Sequence, residues 1–245
     1  MVIMCCVAGA PAQSNSPLPD APTPANSAPT LRTIPRDLLN DQRALWTSPL
    51  HASDRTMIEG LFVLATAGVI GSEDTHIMQH HFLDASTNQH ANTASTGLTG
   101  LLAAAPFAYY SMGHIRHDAH SEQTGILAGE AIADSLAINQ AIKITSRRER
   151  PTLDNARGRF FQSGVGFDSS FASNHSVVAW SSATVIASES QSRWMTLAAY
   201  SVATGVSVSR VAGRDHFPSD VFVGSALGWA VGRYVHHHHH LHDLK

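Results

Sequence analysis

Six apolar segments of helical length, separated by polar residues, glycine or proline, set the limits on how this chain of 245 residues can fold. No segment shows the alternation of apolar and polar residues that a half-buried strand requires. The segments are rich in Ala, Ser, Gly and Val, and small residues let helices pack closely. We therefore predict an all-α fold, a compact bundle of about six helices. The predicted helices cover residues 53–71, 94–112, 122–147, 173–188, 191–211 and 218–235.

The two ends of the chain differ from this helical body, which spans residues 36–235. Residues 1–12 form a short apolar run that ends in a small-x-small pattern, which predicts a signal peptide and therefore export. Residues 13–35 contain six prolines, which exclude a continuous helix and predict an extended or disordered tether. Residues 236–245, HHHHHLHDLK, are expected to form a solvated His-rich tail, either native or appended.

Charge and cysteine content exclude several classes of partner. Lys and Arg number 16 and Asp and Glu number 19, for a net charge of −3, so the chain lacks the basic field of a nucleic-acid-binding protein. The two cysteines, Cys5 and Cys6, are adjacent, so neither a disulfide framework nor a cysteine-rich zinc site is expected.

Charged residues inside the predicted helices bear on the location of the protein. Glu130 and Asp134 lie in the middle of the third segment, and the mean hydropathy of the chain is −0.06. A membrane span needs about 20 mostly apolar residues. We therefore favour an exported, periplasmic or membrane-associated protein with a soluble or peripherally attached bundle. An integral inner-membrane bundle is the alternative.

Pro106 is expected to kink or split the second helix.

The segment KITSRRERP carries cations near the end of the third predicted helix. If that helix continues, Lys143, Arg147 and Arg150 fall at i, i+4 and i+7, on one face. Guanidinium groups bind phosphate in a bidentate manner, so this face suits a phosphate dianion. Pro151 then ends the helix. The same cations would equally suit a solvated basic helix end.

The segment SSFASNHSVVAW places a helix start beside a histidine. Ser173 is a good N-cap for the apolar run that follows. The N–H groups of Asn174, His175 and Ser176 would then point out of the helix start and form an anion site. A single histidine at such a place is also compatible with a purely structural role.

The segment SRVAGRDHFPSD joins the fifth and sixth predicted helices. Arg210 ends the fifth helix, Gly213 permits the turn and Pro218 suits a first helical position. His216 and Asp220 are four residues apart, so the carboxylate can hold one imidazole nitrogen and aim the other outward. A helix-capping cluster with an incidental histidine is the alternative.

Taken in order, these segments resemble the three-part signature of the type 2 phosphatidic acid phosphatases. That superfamily shares its fold with bacterial class A acid phosphatases and vanadium haloperoxidases. The resemblance covers roughly residues 54–234. The usual second segment of the family is Pro-Ser-Gly-His, whereas this chain has Ala172 and Asn174 at the first and third positions. Asn tolerates a left-handed backbone, so we expect the anion-binding turn to persist.

The resemblance implies metal-independent hydrolysis of a phosphoric monoester, or of a lipid phosphate or pyrophosphate, through a phosphohistidine intermediate. It implies that His216 is the nucleophile, that Asp220 orients it and that His175 protonates the leaving oxygen. The implied phosphate-binding residues are Lys143, Arg150, Ser173, Asn174 and Arg210. No cofactor and no metal are expected, because the cations take the role of a metal. The expected partner is a phosphorylated small molecule or lipid substrate, with a peripheral membrane contact.

Catalysis by this route needs a neutral His216 and a charged His175, so we expect an activity optimum on the acid side of neutrality. Arg147 and Arg214 lie outside the signature and are interpreted as supporting surface charges.

Three other functions remain open at this point. The same pocket would hold vanadate, a mimic of the phosphoryl transition state, and the chain would then be a haloperoxidase. A non-enzymatic metal site is the second alternative, because several histidines recur at helical spacing. These histidines are His76, His80, His81, His114, His117 and His120. An inactive scaffold is disfavoured because every reacting group is retained.

Overall fold

The computed structural model describes residues 30–80, 83–164 and 168–242, so the predicted signal peptide and residues 13–29 of the predicted tether lie outside the described residues. Across the described ranges the chain forms seven α-helices and no strand, which confirms the predicted all-α class. The helices are α1 Ile34–Thr47, α2 Asp54–Gln79, α3 Ala85–Arg116, α4 Ala119–Ser146, α5 Asn174–Glu189, α6 Arg193–Ala212 and α7 Pro218–His242.

Helix α5 lies at the centre of the bundle and is buried along most of its length. One side packs against α3 and α6, where Ala183 meets Leu102 and Val206. The other side packs against α4 and α7, where Val185 meets Val231. A helix buried on all sides must be apolar or small-residue-rich all round, which is why α5 is built largely from Ala, Ser and Val.

Glycines four residues apart on α7 let this helix approach α5 closely. A Cβ on Gly228 would lie 2.5 Å from the carbonyl oxygen of Val177, and a Cβ on Gly224 would lie 2.8 Å from that of Ser173. Contacts advance in the same direction along both helices, so α5 and α7 run parallel and begin at the same end of the bundle. The amide of Ser173 donates to the carbonyl oxygen of Asp220 at 3.1 Å and fixes the two N-termini side by side.

Helix α3 continues through Pro106, so the expected break does not occur. Proline removes the amide that would bond the carbonyl of Leu102, four residues earlier. Ser182 of α5 supplies the missing donor, because its hydroxyl lies 2.8 Å from the Leu102 carbonyl oxygen. Both the proline and the serine are buried, so the bundle itself compensates for the interruption.

The structure differs from the sequence prediction at both ends of the helical body. Helix α1 is an additional helix that begins at Ile34, inside the predicted tether, with a proline in its first turn. Helix α7 does not end near Val235 but continues through the His-rich segment to His242. His236 Nδ1 lies 2.9 Å from Glu189 Oε1, and His239 Nε2 lies 3.3 Å from Asp41 Oδ2. These contacts with α5 and α1 make this part of the tail a packed helix rather than a solvated one.

Helix α2 carries large apolar side chains that the rest of the described chain does not cover. Ile58, Phe62 and Val69 are 66%, 71% and 70% exposed. Within the described residues, α2 is the one helix long and apolar enough to cross a membrane by length and composition. Its last two turns pack against the body of the protein, where Asp74 and Met78 are buried.

Candidate active site

The three segments singled out in the sequence lie together at the end of the bundle where α5 and α7 begin. Lys143 Nζ donates to the carbonyl oxygen of Ser169 at 2.5 Å, in the loop that leads to α5. Arg150 Nη1 donates to the carbonyl oxygen of Asp215 at 3.1 Å, which joins the first segment to the third. His216 contacts Ser170, which joins the third segment to the second. Residues from distant parts of the chain therefore line one site.

His216 is held in one orientation through its Nδ1 atom. The side chain is buried, and Nδ1 lies 2.7 Å from the carbonyl oxygen of Ser170. Since a carbonyl only accepts, Nδ1 carries the proton, and the lone pair lies on Nε2. No hydrogen-bond partner of Nε2 is found within the described ranges. Burial lowers the pKa of His216, which keeps the ring neutral and Nε2 nucleophilic.

Asp220 orients His216 less directly than expected. Its Oδ2 atom lies 3.7 Å from His216 Nδ1, too far for a hydrogen bond. Instead Oδ2 accepts from the Ser170 hydroxyl at 2.5 Å and from the amide of Phe217 at 2.9 Å. Burial alone would raise the pKa of Asp220, but the His216 ring and the Arg148 guanidinium outweigh it and lower that pKa. The carboxylate therefore stays ionised beside the imidazole.

Arg148, which sequence reasoning missed, links this carboxylate to α2. Its Nη1 atom lies 2.6 Å from Asp220 Oδ1, and its Nη2 atom lies 2.9 Å from Asp74 Oδ2. Nη1 also donates to the Ser219 hydroxyl at 2.8 Å, and the guanidinium lies over the Phe217 ring, 4.1 Å from its centroid. The side chain is 5% exposed, so both ion pairs are almost free of solvent screening.

The expected alignment of Lys143, Arg147 and Arg150 on one helix face is wrong. Helix α4 ends at Ser146, and Arg147 follows it in the left-handed conformation, with φ of 43°. After this turn, Arg147 Nε donates to the carbonyl oxygen of Ser163 at 3.0 Å. The side chain of Arg148 points into the protein instead. Arg150 reaches the site from the loop instead. Lys143 is buried, and burial followed by the charge of Arg150 lowers its pKa to about 8.

Arg210 lies beside this site at the end of α6. Its Nη2 atom lies 2.6 Å from Asp215 Oδ2, and the side chain is 7% exposed. Its Nε atom is buried and has no hydrogen-bond partner in the part of the chain that the structure describes. A buried guanidinium donor without an acceptor is costly unless a ligand supplies one. Arg210 therefore retains a donor for an anionic oxygen.

The start of α5 provides amide groups next to this guanidinium. Ser173 is the N-cap, as predicted, and its hydroxyl accepts from the Ser176 amide at 3.4 Å. Asn174 occupies the first helical position rather than a left-handed turn, and its Oδ1 atom accepts from Asn139 Nδ2 at 2.6 Å. The amides of Asn174 and His175 have no acceptor among the described residues, so they are available to an anion.

His175 lies in the first turn of α5 and is only partly buried. Burial, followed by the charge of Arg210, lowers the pKa of His175 to about 4. The protein alone thus favours the neutral ring of His175, whereas a charged ring was expected from the sequence. An anion near Arg210 would act in the opposite direction, because negative charge favours the imidazolium.

The histidines outside this site were a candidate metal centre. Within the described ranges, no group of three or more His, Cys, Asp or Glu side chains is placed to hold a metal ion. His80 Nδ1 bonds the carbonyl of its own helix at His76, 2.9 Å away. His114 and His120 pair with different carboxylates, Glu122 and Glu189. His81, the other member of the first predicted group, lies outside the described residues.

Comparison with known proteins agrees with the geometry. A family model described as the PAP2 superfamily matches residues 124–243, the region that contains all three segments. This match confirms the resemblance to the type 2 phosphatidic acid phosphatase superfamily over that region. Members of this superfamily are mostly phosphatases or related hydrolases. No curated protein and no solved structure gives a significant match.

Proposed function

We propose that the protein is a metal-independent phosphatase that works through a phosphohistidine at His216. The observation that supports this most directly is the state of the His216 ring. Its Nδ1 is fixed by the Ser170 carbonyl at 2.7 Å, which leaves the Nε2 lone pair for attack on phosphorus. The superfamily supports a hydrolase acting on phosphorylated substrates, lipids included.

In the first step, His216 Nε2 attacks phosphorus, and the bond from phosphorus to the leaving oxygen breaks. His175 gives its proton to that oxygen, so the alcohol leaves neutral. In the second step, water attacks the phosphohistidine, His175 accepts a proton from that water, and the phosphorus–nitrogen bond breaks. Inorganic phosphate leaves, and the electron pair returns to Nε2.

The low pKa of His175 fits this route if the substrate brings the proton. A phosphomonoester loses its second proton near pH 6, so the monoanion is present on the acid side of neutrality. Transfer of that proton to His175 gives an imidazolium beside a dianion, and Arg210 then stabilises the dianion. The acid optimum expected from the sequence therefore remains the proposal, with the substrate as the source of the proton.

Charge on the phosphoryl oxygens would be neutralised by the cations and amides already described. We assign this role to Lys143, Arg150 and Arg210, with the Asn174 amide and the N-cap Ser173 at the start of α5. Fixed donors aimed at the place where charge develops are the main source of rate in phosphoryl transfer. Arg210 must share its guanidinium with Asp215, so a bound phosphoryl group has to compete with that carboxylate.

Membrane contact is a second part of the proposal. The uncovered apolar side chains of α2, Ile58, Phe62 and Val69 among them, suit the boundary between lipid headgroups and acyl chains. We propose that α2 rests on a membrane surface and that the protein is exported, as the apolar residues 1–12 predict. Sedimentation with anionic and neutral vesicles tests this contact. Phe62→Ser should reduce the bound fraction, and unchanged binding would contradict the contact.

Phosphate release tests the hydrolase directly. p-Nitrophenyl phosphate, a hexose phosphate, phosphatidate and undecaprenyl pyrophosphate would be compared in the presence of EDTA. His216→Ala should abolish release from every substrate, while the exposed His51→Ala should not change the rate. Rapid quenching with labelled substrate should trap an acid-labile, base-stable phosphoprotein in the wild type only. Turnover by His216→Ala, or inhibition by EDTA, would contradict the proposed route.

A further inference from the structure

An open groove of about 960 Å³ lies between helix α3 and the loops that carry the candidate active site. No large apolar side chain lines it. Its lining residues are Ala85, Asn88, Gln89, Asn92, Thr93, Thr96, Gly97, Thr152, Gly213 and Arg214. Seven of the ten come from one face of α3, at helical spacing. This face lies before residues 124–243, so it is outside the region shared with the superfamily.

Two of the three candidate-site segments contribute residues within them or next to them to the lining of the groove. Thr152 follows Arg150-Pro151 directly along the chain, and Gly213 lies between Arg210 and His216. Asn92 Nδ2 donates to the Gly213 carbonyl oxygen at 3.1 Å, which ties α3 to the turn before α7. A Cβ at Gly213 would lie 1.9 Å from Asn92 Oδ1, so only glycine permits this approach. Glycine is therefore needed here for space, while its φ of −78° is open to other residues.

The α3 wall offers uncharged hydrogen-bonding groups. The hydroxyls of Thr93 and Thr96 donate to backbone carbonyl oxygens of their own helix, at 3.0 and 2.9 Å. Their oxygens can therefore accept from a ligand hydroxyl, and their methyl groups provide small apolar patches. Asn92 Oδ1 is buried against Gly213, so it is not one of the groups that this wall offers to a ligand. Gln89 adds an exposed amide that both donates and accepts.

Arg214 provides the cation of the groove. Its backbone is left-handed, with φ of 57°, a conformation that costs energy for a residue other than glycine. Its Nε atom is buried and has no hydrogen-bond partner within the described ranges. The side chain is only partly buried, so the interpretation of Arg214 as a supporting surface charge stays a prediction.

We propose that this groove binds the leaving group of the substrate, and that it selects phosphate esters of polyhydroxylated compounds such as sugar phosphates. A sugar presents hydroxyls to Gln89, Thr93 and Arg214, and presents C–H faces to the threonine methyls. An acyl chain would instead leave Arg214 Nε without a partner, which is unfavourable. This inference rests on the proposed phosphatase activity.

Kinetics with two substrates test the groove. The leaving group of p-nitrophenyl phosphate has no hydroxyl groups to bond the groove, whereas that of a hexose phosphate has several. The ratio of kcat/KM for the hexose phosphate to that for p-nitrophenyl phosphate should fall about tenfold in Gln89→Leu and in Arg214→Gln, since one hydrogen bond contributes roughly 1.4 kcal/mol. Thr93→Val should lower the same ratio.

Thr204→Val is the matched control for Thr93→Val, because its hydroxyl bonds the carbonyl four residues earlier at 2.8 Å on the exposed face of α6. The control should leave the ratio unchanged. An unchanged ratio in all three groove variants, or faster hydrolysis of phosphatidate than of the hexose phosphate, would overturn the inference while leaving the phosphatase intact.

Direct binding separates this inference from the proposed reaction. Calorimetric titration of His216→Ala with the hexose phosphate and with inorganic phosphate should show tighter binding of the hexose phosphate. Adding Gln89→Leu should remove that difference. If the wild type hydrolyses nothing, the phosphatase proposal fails, and the titration still decides whether the groove binds a sugar. Equal affinity for both ligands would overturn the groove assignment.

Discussion

Arg148 Nη1 lies 2.6 Å from Asp220 Oδ1, and this ion pair places a buried cation directly behind the candidate nucleophile. The same guanidinium also pairs with Asp74, so one side chain neutralises two buried carboxylates. The guanidinium of Arg148 contacts Asp74, Asp220, Ser219 and the Gly158 carbonyl rather than the groups proposed to bind phosphate. We therefore propose that it acts through Asp220 and Ser219, as a positioning residue.

Removal of Arg148 should be strongly destabilising. Arg148→Met leaves Asp74 and Asp220 buried without a counter-ion, which typically costs about 3–5 kcal/mol. Urea denaturation would measure the free energy of unfolding. Arg157→Met is the matched control, because Arg157 is 61% exposed and lies 4.0 Å from Asp154, so its loss should cost below about 1 kcal/mol. Equal losses in the two variants would show that the buried network contributes little.

A role in positioning also predicts a kinetic effect of Arg148. In Asp74→Asn, the guanidinium of Arg148 still pairs with Asp220 but loses its ion pair with the second carboxylate. Because one ion pair remains, the protein should fold. Since Asp220 contacts substrate only through His216, we expect kcat for p-nitrophenyl phosphate to fall while KM changes little. A raised KM with unchanged kcat would assign Asp74 and Arg148 to substrate binding instead.

Activity should be highest below neutral pH. Burial lowers the pKa of His216 below 6.5, the ordinary value for histidine, so the ring stays neutral at pH 6.5. The acid limb of the activity profile should therefore lie below pH 6.5. The pKa of His175 is about 4, so above that pH the free protein holds this ring neutral and the proton must come from the substrate monoanion. The monoanion is lost above about pH 6, so kcat/KM should fall on the alkaline side. A profile of kcat/KM from pH 3.5 to 9 checks this, and a rate that climbs steadily to pH 9 would contradict it.

Buried carboxylates at the other end of the bundle should make stability depend on pH. Burial raises the pKa of Glu130 to about 7 and that of Asp134 to about 6, and nearby Asp41 adds to both shifts. His239 acts in the opposite direction. A folded-state pKa above the unfolded value means that the native protein binds the proton more tightly, so stability falls as pH rises from about 4.5 to 7.

Glu130→Gln should remove much of this loss. Both Glu130 oxygens lack a hydrogen-bond partner in the described part of the chain, so the amide gives up no hydrogen bond. We expect little change in the free energy of unfolding at pH 4.5 and a gain of about 2–3 kcal/mol at pH 8. Glu59→Gln, at a site 62% exposed, is the control and should show no such trend. A gain of equal size at both pH values would contradict the titration of Glu130.

Ser182 should stabilise the helix that contains Pro106. Ser182→Ala removes the donor to the Leu102 carbonyl oxygen and leaves that oxygen buried without a partner, at a cost of about 1–3 kcal/mol. Ser181→Ala is a useful comparison, because Ser181 is equally buried but its hydroxyl bonds its own helix at Val178. Thermal unfolding of both variants measures the difference, and equal melting temperatures would mean that the carbonyl of Leu102 finds another donor.

The apolar periodicity predicted six of the helices because it reports a property that each segment carries by itself. Helix α1 was missed since it is polar and follows prolines, although Pro35 in its first turn is a start signal. The packing of the His-rich segment depends on Glu189 and Asp41, which are distant in sequence. Contacts of this kind leave no trace in a local pattern.

The candidate site residues could be selected from their spacing, but their supporting partners could not. Which arginine of the RR pair turns inward depends on the left-handed conformation of Arg147, and Arg is not a residue that favours it. The Ser170 carbonyl is a backbone group and has no signature in the sequence. The geometry of His216 therefore required the three-dimensional structure.

Asp74 belongs to α2, whereas Arg148 and Ser219 belong to the region shared with the superfamily. Trimming the chain to that shared region would strip the guanidinium of one of its two carboxylates. It would also remove the acceptor of the Ser219 amide. The smallest fragment of this protein that preserves the framework of the candidate site is therefore longer than the segment that matches the superfamily.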